Sequence, residues 1–199
     1  MSGLNPQGTQ VHSFKQPESE EQSHDYLWRV NNHLPEKGKI GIFNRSYYEE
    51  VLVVRVHNLI ENENIPSEYT KNIWERRYKQ INNYEEYLCE NGVIPIKFFL
   101  HISKEEQKER LLSRINDKTK NWKFSQADIK ERQYWKKYQE SYEEAINSTA
   151  TKAAPWYVIP SDVIVKTLNS LKLEYPVLTQ EQLALLEKYK RLLEDGGEL

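Results

Sequence analysis

A single cysteine, Cys89, in 199 residues excludes an intramolecular disulfide framework and any Cys-x-x-Cys metal pair. Cys89 reads as a small helical side chain rather than a nucleophile. Methionine is equally scarce, with one copy. The first twenty residues lack the apolar segment of a signal peptide. No run approaches the roughly 18 apolar residues that a membrane helix needs. Net charge is only -2, so no global field argues for nucleic acid or a membrane as partner. The five histidines (His12, His24, His33, His57 and His101) have no metal-ligand spacing, and no His-Glu-x-x-His occurs, so no metal is assigned to side chains. What remains is a soluble, cytoplasmic chain with enough length for one domain and its core, rich in aromatics at 13 Tyr, 5 Trp and 5 Phe.

Apolar patterning alternates between strand and helix. Strands are expected at 10–14, 40–43, 94–102 and 156–159. Pro17 and the acids after it start a helix that runs to about His33, before Pro35 and Gly38. Residues 47–59 suit a helix or a strand equally, because Val51, Val53, Val54 and Val56 are β-branched. A helix over 66–88 is closed by Gly92. Ser103 with Glu106 makes a capping box for a charged helix to about Ile115. Residues 116–124 read as a polar loop, Ser125 and Asp128 start another helix to about Asn147, and Thr179 with Gln182 caps a last one. The alternation predicts an α/β layer fold with a mostly parallel sheet.

Asn44, Arg45 and Ser46 stand where the apolar run Ile40–Phe43 ends, the place where open α/β sheets put their chemistry. A guanidinium at Arg45 can grip an oxyanion through two hydrogen bonds; alternatively it pairs with Glu49 or Glu50. Lys15 is a second strand-end cation, and Arg29 is either a further anion ligand or a partner of Asp25. Residues 104–137 hold eleven Lys or Arg against six Asp or Glu. Arg110 and Arg114 share a helix face, and Lys118, Lys120 and Lys123 follow in the loop. This region is either a basic lid closing over a polyanion or a solvated charged helix. Gly3 and Gly8 have phosphate-loop spacing, but Thr9 stands where the lysine belongs, so the segment reads as a turn.

Four motifs in order carry a resemblance: Asp25-Tyr26-Leu27-Trp28-Arg29, Gly41-Ile42-Phe43-Asn44-Arg45-Ser46-Tyr47-Tyr48-Glu49, Asn121-Trp122-Lys123-Phe124-Ser125 and Pro155-Trp156-Tyr157-Val158-Ile159-Pro160. Together they resemble the type-2 polyphosphate kinase family. The resemblance implies a three-layer α/β/α fold like that of P-loop kinases. It also implies magnesium-dependent transfer of a phosphoryl group between inorganic polyphosphate and an adenine or other nucleotide, AMP or ADP becoming ADP or ATP. It makes Arg45, Arg110 and Arg114 the catalytic residues, and Lys15, Arg29, Asn44, Ser46, Lys118 and Lys123 the substrate-binding ones. Many members have Asp where Asn44 stands, and an amide is the poorer magnesium ligand, so no metal ligand is assigned. Residues 1–178 correspond to the kinase-like domain, with a lid at about 116–137, and 179–199 to a C-terminal helix. The family's first strand, its Walker A loop and a basic Trp-containing stretch after Asp162 have no counterpart here. The resemblance therefore implies a truncated domain with a vacant slot in its sheet and impaired transfer, or else an inactive remnant that binds polyanions or self-associates. A homo-oligomer is expected.

Overall fold

The computed structural model describes residues 6–116 and 126–160. The chain divides into two compact units, Met1–Ile159 and Pro160–Leu199, and all described residues except Pro160 belong to the first. The expectations for Gly3, for Lys118, Lys120 and Lys123, for the motif 121–125 and for the helix 179–199 lie outside the described residues.

Strand β1 (Thr9–Ser13) lies parallel to β2 (Ile40–Asn44), in a register running from Thr9 opposite Ile40 to Ser13 opposite Asn44. The ladder extends one residue further, where the Phe14 N–H donates to the Asn44 carbonyl at 3.0 Å. Gly41 lets β2 run against Pro35: a Cβ there would sit 3.0 Å from the proline ring. Strands β3 (Lys97–His101) and β4 (Trp156–Pro160) form a second pair, entered through the Lys97 N–H donating to the Pro155 carbonyl at 3.2 Å. Among the described residues no ladder joins the two pairs.

Helices depart from their expected lengths for local reasons. The segment 17–33 forms two single turns, α1 (Ser19–Gln22) and α2 (Trp28–Asn31). Between them the Asp25 carboxylate accepts the Leu27 N–H at 2.9 Å, a side-chain turn that competes with the helix. Residues 47–59 are neither a strand nor one helix. They form a 3-10 turn Tyr47–Glu50, then α3 (Val53–Val56), then a second 3-10 turn Leu59–Asn62. The helix expected over 66–88 is split into α4 (Ser67–Thr70) and α5 (Ile73–Glu90) by Asn72, whose φ is 56°. Asparagine tolerates that left-handed region better than most residues. Gly92 does close α5, at φ 82°. Its N–H reaches the Cys89 carbonyl at 3.0 Å, and the Val93 N–H reaches that of Leu88 at 2.9 Å, which is the Schellman pattern. Helix α6 (Lys104–Asn116) begins where the sequence puts it, the Ser103 hydroxyl accepting the Glu106 N–H at 3.0 Å. Helix α7 (Gln126–Glu131) and α8 (Trp135–Thr149) are separated by a 3-10 turn, Arg132–Tyr134.

The core lies between α5 and the segment after β2. Tyr78, Ile81, Tyr84 and Leu88 recur at three and four along α5 and pack with Phe14, Val30, Tyr47, Tyr48, Val51, Leu52 and Ala145. The same stripe carries two charges. Glu85 is 1% exposed: its Oε1 accepts the Tyr47 hydroxyl at 2.7 Å and the Tyr48 hydroxyl at 3.0 Å, and its Oε2 lies 2.6 Å from Lys97 Nζ. Lys97 also donates to the Tyr48 hydroxyl at 3.0 Å and the Thr149 carbonyl at 2.9 Å. About two turns away, Arg77 bridges Glu50 at 3.1 Å and Glu63 at 2.6 Å. Burial pushes the Glu50 carboxyl up to about 8, reinforced by a hydrogen bond to Glu63 and opposed by Arg77.

Two predictions follow from this core. Ile81, fully buried, is expected to lose about 2–5 kcal/mol of stability as Ile81→Ala, read from urea unfolding; a loss below about 1 kcal/mol contradicts the packing described. Glu50 titrates near 4.5 in the unfolded chain and near 8 in the fold. Its contribution is therefore whole below pH 4.5 and is lost as pH rises through about 8. Thermal melts of Glu50→Gln should show a smaller fall in Tm between those limits than the parent; parallel curves contradict the shift.

Candidate functional site

Parallel pairing brings the C-terminal ends of β1 and β2 to one edge, with Ser13 opposite Asn44. Lys15 and Arg45 therefore leave the same edge, both exposed. Arg29 lies behind them. Its Nη2 donates to the Lys15 carbonyl at 2.9 Å, its Nε is 3.1 Å from the Glu21 carboxylate, and its guanidinium sits 5.1 Å from the centre of the Phe14 ring. Glu21, and not Asp25, is thus its acidic partner. Arg29 fixes the backbone at Lys15 and adds positive charge beneath the edge.

Arg45 is the unusual residue. Its φ is 65°, which for a side chain of this size costs on the order of 1 kcal/mol. Among the described residues it makes no hydrogen bond or ion pair. Neither expected partner takes it: Glu50 is held by Arg77, and Glu49 forms no ion pair among the described residues. Burial raises the Glu49 carboxyl, with Arg45 and then Arg29 pulling the other way, which places both cations in its field. The Ser46 hydroxyl accepts the Tyr48 N–H at 3.3 Å and so caps the turn that follows. Asn44 is exposed beside Arg45. Tyr142 of α8 also lies in the field of Glu49 and Arg45, and stacks on Phe99 of β3 at 4.4 Å. Beyond it a cavity of about 250 Å³ opens between β3, β4 and α8, lined in part by Phe99, His101, Tyr142 and Val158.

Arg110 and Arg114 form a second set, on α6. Arg110 Nε donates to Glu106 at 2.7 Å, and its Nη2 has no hydrogen-bond partner. Arg114 Nη1 meets Asp128 at 2.8 Å, which ties α6 to α7 on either side of residues 117–125. Arg132 donates to Gln107 at 2.7 Å, and His57 and Tyr138 both reach Glu131 at 3.0 Å. The segments flanking 117–125 are thereby fastened to the body of the unit.

The described residues do not make a protein-held magnesium site. They contain no group of three His, Cys, Asp or Glu able to hold a metal. The strand ends present cations, an amide and a hydroxyl where magnesium favours carboxylate oxygens. No described helix is long and apolar enough to cross a membrane.

Sequence reasoning found the strand-end triplet but missed what holds it. The signals were present. Lys97 interrupts the apolar run Ile94–Ile102, and Glu85 interrupts the apolar stripe of α5.

Comparison with known proteins identifies the family. The model of the polyphosphate kinase 2 family matches residues 1–185. An ADP-polyphosphate phosphotransferase of Rhodopseudomonas palustris is 47% identical over 208 residues, covering 97% of this chain and 72% of that protein. An AMP/ADP-polyphosphate phosphotransferase of Meiothermus ruber is 45% identical, covering 87% of this chain and 66% of that protein. The crystal structure of polyphosphate kinase 2 from Arthrobacter aurescens superposes with a TM-score of 0.72 at 38% identity, over 92% of this chain and 67% of that one. The chain belongs to the polyphosphate kinase 2 family.

Proposed function

We propose that this chain takes part in phosphoryl transfer between inorganic polyphosphate and AMP or ADP. The observation that carries the proposal is the placing of Lys15 and of Arg45, which has no partner among the described residues, at the same C-terminal edge of a parallel strand pair. Family membership and the printed activities of the two relatives support it. In the forward direction a terminal phosphoryl group leaves polyphosphate, which becomes one unit shorter. The group joins a phosphate oxygen of AMP or ADP, giving ADP or ATP. Such transfer depends on positioning and on charge supplied to the phosphoryl oxygens.

In this reading Arg45 contacts the transferring group with both arms of its guanidinium. Lys15 holds a neighbouring phosphate as a point charge, Arg29 supports it from behind, and Asn44 and Ser46 donate hydrogen bonds beside it. Arg110, Arg114, Lys118 and Lys123 supply charge from the lid side. Magnesium, implied by the family resemblance, would supply further charge to the phosphate oxygens, and no described residue is assigned to hold it. The cytoplasm is the proposed compartment and a homo-oligomer the proposed assembly, with no nucleic acid or membrane as partner. These 199 residues contain no Gly-x-x-x-x-Gly-Lys. Transfer by the chain alone is therefore expected to be slow, with polyanion binding without turnover as its limit.

A coupled assay with AMP, ADP and polyphosphate tests this. Arg45→Ala is expected to lower turnover about 100- to 1,000-fold, with an unchanged Tm. Equal turnover in both chains removes Arg45 from the reaction. Salt-sensitive polyphosphate binding without turnover in the parent supports the binding-only limit.

A further inference from the structure

The backbone at Arg45 is strained, and something must hold it there. On its N-terminal side the β1–β2 ladder fixes Asn44 through the Phe14 N–H. On its C-terminal side the chain enters the 3-10 turn Tyr47–Glu50, three of whose four residues are fastened to α5. Tyr47 and Tyr48 donate to Glu85, and Glu50 pairs with Arg77. Only Glu49 of that turn is free of such a fastening, and it lies in the field of Arg45. Glu85 is in turn held by Lys97 of β3, whose ammonium also binds the Thr149 carbonyl at the end of α8. Four elements thus converge on one buried ion pair, whose partner Tyr47 stands two residues after the strained arginine.

We propose that the buried Glu85–Lys97 pair, acting through the Tyr47 and Tyr48 hydroxyls, is a positioning unit that fixes the left-handed backbone at Arg45 and so aims its guanidinium at the phosphate track. The proposal rests on the reading of Arg45 as a phosphate contact. Neither Glu85 nor Lys97 touches substrate in this scheme. Both are almost completely buried, at 1% and 7% exposure. Burial pulls the Lys97 ammonium down from its ordinary value, with Glu85 opposing, so the pair depends on mutual contact. A turn released from Glu85 leaves Arg45 free to relax out of its left-handed conformation and swing away from the edge.

Removing one partner of a buried pair risks unfolding, so the test uses hydroxyl deletions that keep the ring packing. Tyr47→Phe, Tyr48→Phe and each combined with Arg45→Ala are compared with the parent for polyphosphate transfer (kcat and KM separately), polyphosphate binding and Tm. Each phenylalanine variant is expected to cost about tenfold in transfer or binding when Arg45 is present, and less than about twofold in the Arg45→Ala background. A loss of the same size in both backgrounds overturns the positioning unit and leaves the phosphate reading standing. So does a lowered Tm with unchanged transfer and binding. An Arg45→Ala chain that matches the parent, or a parent with neither binding nor transfer, overturns the phosphate reading and the proposal together.

Discussion

One buried carboxylate decides where much of this chain can go. Glu85 is shielded from water and meets two tyrosine hydroxyls and an ammonium from β3. A lone charge there would be very costly. With Lys97 and both tyrosines in place every oxygen is satisfied, and withdrawing any one partner leaves another stranded. The arrangement therefore specifies more than it stabilises. It permits one placement of β3 against α5 and one placement of the turn after β2.

The consequences reach the strand ends. Once Tyr47 and Tyr48 are fixed, Arg45 has a single residue, Ser46, with which to absorb the change of direction between β2 and the turn. It does so at positive φ, with its guanidinium unclaimed by any described neighbour. Lys15 arrives beside it because β1 and β2 run parallel in register. Arg29 holds that end of β1 down through the Lys15 carbonyl. Positive charge is thus brought to the edge by backbone constraint; Arg77 takes Glu50 and Arg29 takes Glu21, which leaves Glu49 as the acid in the field of Arg45. In the proposed reading this edge supplies the positive charge that phosphoryl oxygens require.

The sequence was most legible where the physics is local. Gly92 and the Ser103 cap depend on a few neighbouring residues, and both stand where expected. The apolar runs marked β1, β2, β3 and β4, and the end of one run marked the triplet Asn44-Arg45-Ser46. Legibility failed where a side chain overrode propensity. Asp25 split one helix and Asn72 another, and the β-branched run after Tyr48 became short helical turns. It failed again where the determinant is remote. Lys15 and Arg45 meet only through a parallel register, and Glu85 and Lys97 only through the packing of β3 on α5, so no spacing reveals either pair.

The central claim, that the C-terminal edge of β1–β2 is the phosphate surface, is tested most directly by titrating polyphosphate into isotopically labelled protein and following backbone amides by NMR. The account predicts the largest shifts at Lys15, Arg45 and Ser46, weakening as salt is added. Shifts confined to other segments, with these three unmoved at saturation, contradict it.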